Sequence, residues 1–177
     1  MNPMLTVLLA CLLPPVAEER TQAFQVAGKV KEVLVKPGDQ VKVGQVLARL
    51  DDVLTVKQVE LCRLEVDRHK RLVEAARAEY AVTKAICDRD NALFQKNVIP
   101  REERDISQFR MMKADTEVEK AKTSYEKAKV TLEMAQLELR YHTLTSDFDG
   151  TVTTLHKHAK ESTEAHKSFI TLRVSEK

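Results

Sequence analysis

The sequence predicts an α+β fold in which one small β-sandwich module is split in two by a long antiparallel coiled-coil hairpin. Three observations carry this reading. A valine- and glycine-rich motif near the N-terminus returns in weaker form 122 residues later, the stretch between the copies has a single helix breaker at 97–100, and apolar residues in that stretch step by 4 and 3. Composition agrees: 43% hydrophobic and 32% charged, with 5% aromatic, four Gly and no Trp, suits long helices with a narrow seam better than a large globular core.

At the N-terminus, residues 4–16 (MLTVLLACLLPPV) are apolar apart from Thr6, and Glu18, Glu19 and Arg20 follow at once. Such a run is too short to span a bilayer and reads as a signal peptide, residues 1–17, cut after Ala17. The absence of Lys or Arg before it and Pro15 third from the cut depart from the usual pattern. Leu8-Leu9-Ala10-Cys11 also resembles a lipobox, whose processing would leave Cys11 as a lipid anchor. A third reading is an uncleaved apolar tail on a cytoplasmic protein.

The first module half, residues 18–52, contains Gly28, Val30, Val33, Val35, Gly38, Asp39, Val41, Gly44, Leu47 and Leu50. Valines alternating in short runs, broken by Pro-Gly-Asp and a further Gly, encode short strands and tight turns, because glycine supplies the positive φ that such turns require. The second half, residues 143–177, repeats the register without a gap: Gly150 over Gly28, Val152 over Val30, Leu155 over Val33, Phe169 over Leu47 and Leu172 over Leu50. Each copy is too small to bury a core alone, so the two are expected to pack together. Lys160 and His166 stand at the second copy's turn glycines and Lys157 and Thr163 at strand valines, which predicts looser packing there.

Between the halves, residues 53–142 read as the hairpin, with its tip near 97–100. In the second arm Ala114, Val118, Ala121, Tyr125, Ala128, Leu132, Ala135 and Leu139 keep the 4/3 steps of a supercoiled helix. The same steps in the first arm run through Leu61, Leu64, Arg68, Arg71, Ala75, Ala78, Val82, Ala85, Arg89 and Ala92, with three arginines intruding. Asn97 suits a helix C-cap and Pro100 the first turn of the next helix. Arms of this length would stand roughly 60–65 Å tall.

The motif G-x-V-x-x-V-x-V-x-x-G-D-x-V-x-x-G-x-x-L-x-x-L from Gly28 to Leu50 resembles a biotinyl/lipoyl half-module. A distant second half introduced by Asp149-Gly150-Thr151-Val152 resembles the arrangement in periplasmic adaptor proteins of the HlyD-like membrane fusion family. The resemblance marks Gly28, Gly38, Asp39, Gly44, Asp149 and Gly150 as structural turn positions. It also implies a non-enzymatic, exported adaptor in the periplasm or cell envelope, which bridges an ABC- or RND-type inner-membrane transporter to a TolC-type outer-membrane channel. It would act by assembling with its own copies or a companion adaptor. At the tip, Arg89-x3-Leu93-x6-Pro100 is similar to the Arg, Leu, Ser pattern by which adaptor hairpins engage such channels, with Pro100 in place of Ser. In the family a β-barrel and usually a membrane-proximal domain follow the second half-module; Lys177 is five residues past Leu172, which implies a companion adaptor, a shortened assembly or a gene fragment. An exported coiled-coil scaffold without a transporter is the alternative.

Other chemistry finds little support. Near balance of Lys plus Arg (29) with Asp plus Glu (27) leaves no basic field for nucleic acid. Cys62 and Cys87 lie roughly 37 Å apart along one helix and cannot pair with each other. No Met-Lys or Asp-Lys-Ala turn offers a carrier lysine, so no cofactor is expected. His156, His158 and His166 read as solvated polar residues before metal ligands, and Asp51-Asp52 and Asp147-x-Asp149 as caps and turn residues before a catalytic pair.

Overall fold

The computed structural model describes residues 18–174, so the signal peptide or lipobox read at residues 1–17, with Cys11, lies outside them. The elements run β1 (Glu19–Gln22), β2 (Gly28–Val33), β3 (Gln40–Val41), β4 (Val46–Leu50), α1 (Val53–Gln95), α2 (Arg101–Tyr141), β5 (Thr143–Thr145), β6 (Gly150–Leu155), β7 (Ser162–Thr163) and β8 (Ile170–Val174). They form two compact units, residues 18–52 with 140–174, and residues 53–139. Helix α2 ends at Tyr141. His142 is buried and its carbonyl accepts from Leu50 N at 2.8 Å, which ties it to the β unit.

The β unit is two four-stranded antiparallel sheets, ordered β1-β8-β6-β3 and β5-β4-β2-β7. Each sheet draws strands from both halves of the chain. The 122-residue shift carries β2 onto β6 and β3 onto β7 residue for residue, and it carries hydrogen bonds as well. Gly38 N donates to Val152 O and Lys160 N to Val30 O, both at 2.8 Å; Gly44 N donates to Ser146 O and His166 N to Phe24 O, at 2.7 and 2.8 Å. Each half's turns are therefore closed by the other half's backbone. The aligned pairs Val30/Val152, Leu47/Phe169 and Leu50/Leu172 all lie in one core, where Phe24 meets Phe169 edge-on at 4.9 Å.

Where the second half keeps apolar residues its core is not looser, since Val152, Phe169, Ile170 and Leu172 are as buried as their counterparts. Thr163 is buried like Val41, but Lys157 is only half-buried where Val35 is enclosed. The other losses fall on the turns. Lys160 (φ 74°) and His166 (φ 60°) hold the left-handed backbone that Gly38 (φ 96°) and Gly44 (φ 79°) adopt freely. Gly28 and Gly150 open strands β2 and β6 instead of turns. Gly150 is needed for close approach, since a Cβ there would overlap the Arg173 carbonyl oxygen, whereas one on Gly28 would meet only the movable end of the Leu50 side chain at 3.1 Å. Asp39 and Asp149 do shape a turn, since Asp39 Oδ2 accepts from Lys36 N and Asp149 Oδ1 from Val43 N, both at 2.8 Å.

The hairpin is two helices of 43 and 41 residues. Every member of the predicted α2 seam is buried or half-buried. The α1 seam is not the predicted one: Leu61, Leu64, Arg68, Arg71, Ala75, Ala78, Val82, Ala85, Arg89 and Ala92 are all exposed. The buried stripe is Val59, Cys62, Val66, His69, Val73, Ala76, Tyr80, Thr83, Cys87 and Asp90, again in 3/4 steps but two residues earlier. This register keeps all three arginine heads in water and puts Val59 and Cys62 against Leu132, Ala135 and Leu139.

Urea unfolding of five variants tests these assignments. Lys160→Gly and His166→Gly are each expected to stabilise by about 0.5–1 kcal/mol, because relief of left-handed strain outweighs the added chain entropy. Gly150→Ala is expected to cost about 1–3 kcal/mol, since a backbone carbonyl must move. In the hairpin Val73→Ala should cost about 1–3 kcal/mol while Leu64→Ala stays within about 0.5, and the reverse order would restore the predicted seam.

Candidate partner interface at the hairpin tip

The turn between the helices is built by its own backbone. Val98 N donates to Leu93 O at 3.0 Å and Asn97 N to Phe94 O at 2.9 Å, with Asn97 at φ 57°. This pair of bonds around a left-handed residue is a Schellman C-cap, and asparagine is the non-glycine residue that tolerates it best. The Pro100 carbonyl accepts the first bond of α2, from Arg104 N at 3.5 Å, and Glu102 and Glu103 place carboxylates where that helix's dipole favours them.

Of the three residues read as partner-binding, Arg89 and Leu93 sit one turn apart on α1, and Pro100 lies across the Asn97–Ile99 turn. The Arg89 side chain is 66% exposed, Leu93 is half-buried and Pro100 exposed. Sequence reasoning missed the polar layer beneath them. Asp90 is buried in the seam, and its Oδ1 accepts from Arg89 Nε at 3.0 Å and Nη2 at 2.9 Å. Gln108 Nε2 donates to Asn91 Oδ1 across the hairpin at 3.2 Å, Asn91 Nδ2 reaches Cys87 Sγ at 3.4 Å, and Arg104 stacks on the Phe94 ring at 4.6 Å. Extending the α2 seam back by its own steps, from Ala114 through 111 to the buried Ser107, is the signal that exposes this layer.

Outside the seam, exposed Ile106, Phe109 and Met112 give α2 an apolar outer patch near the tip. Ile106 and Phe109, with Arg101, Arg110 and Lys113, line a shallow depression of about 760 Å³. Along the shaft, exposed ion pairs shift the titration of their own members. Hydrogen bonding to Glu60, with its charge, raises Lys57 and lowers Glu60 in return, and Glu126 raises Lys129 in the same way.

In the β unit His156 Nε2 hydrogen-bonds Thr171 Oγ1 at 2.9 Å, and among the described residues no group of three or more His, Cys, Asp or Glu side chains is arranged to hold a metal ion. Asp52, directly before α1, meets Lys31 at 3.3 Å. Among the described residues no helix is long and apolar enough to cross a membrane.

A two-sheet module assembled from both ends of a chain and interrupted by a helical hairpin defines the class of periplasmic adaptor, or membrane fusion, proteins. Residues 24–172 match the family model described as YknX, barrel-sandwich hybrid domain, and the chain belongs to that family. Among solved structures it is similar to MacA from Actinobacillus actinomycetemcomitans (20% identity, TM-score 0.82, covering 87% of this chain and 48% of MacA). It is similar too to the membrane fusion protein Spr0693 from Streptococcus pneumoniae R6 (21%, 0.61, 90% and 60%). A third likeness is to the soluble domain of LipC, a membrane fusion protein of a type I secretion system (14%, 0.54, 90% and 100%). The chain spans about half the length of MacA and three-fifths that of Spr0693. A search of curated proteins gave no match.

The cap geometry carries its own test. Asn97→Gly is expected to keep or slightly raise stability, while Asn97→Val should lower it by about 1–2 kcal/mol, because a β-branched residue resists the left-handed backbone; urea unfolding followed by circular dichroism reads both.

Proposed function

We propose that this chain is a non-enzymatic adaptor segment of a transport or secretion assembly in the cell envelope. In this reading the β unit works with an ABC- or RND-type inner-membrane transporter. Arg89, Leu93 and Pro100 at the tip engage a TolC-type outer-membrane channel, in the manner of the Arg, Leu, Ser pattern they resemble. Export by the N-terminal segment, with or without a lipid on Cys11, puts the protein in that compartment. Family membership supports the adaptor role, and the exposed, tethered Arg89 supports the tip assignment.

The observation that most favours assembly is the second 4/3 stripe of α1. Leu61, Leu64, Ala75, Ala78, Val82 and Ala85 face away from α2, and Leu61, Leu64 and Val82 are each about 60% exposed. One helix with two heptad faces is patterned to pack on two neighbours. The second is another hairpin, from a further copy or a companion adaptor. A coiled-coil scaffold without a transporter would show the same stripe, so the partners decide between the two.

Affinity purification of the tagged chain from native membranes is expected to recover an ABC- or RND-type pump subunit; its reproducible absence would favour the scaffold. Leu64→Asp with Val82→Asp should shift the protein to smaller species in analytical ultracentrifugation while leaving its helical signal intact.

A further inference from the structure

The Arg89 contact bears on how the tip would recognise its partner, a role that rests on the reading of that tip as channel-binding. A coiled-coil seam gains stability from apolar residues, as at Val59 and Val73, and a buried carboxylate is costly unless it is paired. Asp90 occupies a seam position and is 5% exposed. Its neighbour in sequence, Arg89, belongs to the outward stripe, yet it bends back so that Nε and Nη2 both donate to Asp90 Oδ1.

We propose that Asp90 is a positioning residue for the tip: it grips one edge of the Arg89 guanidinium from inside the seam and so presents the rest to the partner. A guanidinium has five N–H donors in a fixed plane. Two are taken by Oδ1, and three remain, held by a carboxylate that is itself held by seam packing. The pair carries no net charge. It therefore offers direction more than field, and it suits neutral acceptors, such as backbone carbonyls at helix ends or turns of the channel, better than an acidic patch. Fixing the side chain in advance removes the cost of ordering it on binding.

The test uses the full chain and a detergent-solubilised TolC-type channel from the same organism, with affinity measured at 50 and 300 mM salt. Asp90→Ala is expected to weaken binding roughly three- to tenfold, and Asp90→Asn, which keeps the size and one acceptor oxygen, by less. In an Arg89→Ala background neither change should have a further effect, which a merely structural role for Asp90 would not reproduce. Wild-type affinity should fall less than tenfold between the two salts. Additive losses in the double variants, or a steeper salt dependence, overturn the inference. Should Asp90→Ala fail to fold, the Asn variant decides alone. Loss with Arg89→Ala but not with the Asp90 variants leaves channel docking standing and sinks the positioning role. Wild-type affinity in Arg89→Ala, or no binding by the wild-type chain, overturns the docking reading itself and the positioning role with it.

Discussion

The reciprocal closure of turns between the two chain halves governs the rest of the structure. Gly38 N is satisfied by Val152 and Lys160 N by Val30, so neither half can close its own turns without the other. Buried backbone groups left open cost as much as lost hydrogen bonds. The β unit must therefore form from residues more than a hundred positions apart, and whatever separates them has to bring its ends back together. The pairing of Arg49 with Thr143 and the Leu50 to His142 bond mark where it does so. An antiparallel hairpin with arms of 43 and 41 residues meets that condition with no long linker.

That condition fixes the lengths of the helices and not their rotation. Rotation is set by which stripe of α1 is buried, and α1 carries two. The stripe with more leucine faces away from α2, while the one with Cys62, His69, Thr83 and Asp90 goes against it. Arginine explains the choice. Burying Arg68, Arg71 and Arg89 would strand three charges that cannot be neutralised by losing a proton, whereas thiols, an imidazole, a hydroxyl and one paired carboxylate are each less costly to enclose.

The same contrast marks what is legible in the sequence. The β unit can be read almost residue by residue, because a period of two, turn glycines and an ungapped repeat constrain one another. Register alone places even Lys160 and His166 at turns, against their own preference. The tight core of the second half is not legible in the same way, because a lost turn glycine looks in sequence like general erosion of the motif. In the hairpin, periodicity without a partner cannot say which of two stripes faces inward, and the three arginines in the predicted seam are the contrary signal. The tip residues can be located, but the carboxylate that holds Arg89 cannot, since Asp90 belongs to the stripe that the leucine pattern puts outside.

Along the buried seam the chemistry changes with distance from the tip. Val59, Val66, Leu132 and Leu139 dominate the end remote from it, with Cys62 and His69 among them, whereas Thr83, Cys87, Asp90, Asn91, Ser107 and Gln108 gather within four turns of Asn97. An apolar layer contributes stability with little sense of register, and a hydrogen-bonded polar layer gives up stability to specify one alignment. Concentrating the second kind at the tip puts alignment at the end of the hairpin where the proposed recognition surface lies. The Schellman turn at Asn97 adds a second constraint on the same residues, because slipping α1 against α2 by one step would break both the cap and the Asn91 to Gln108 bond.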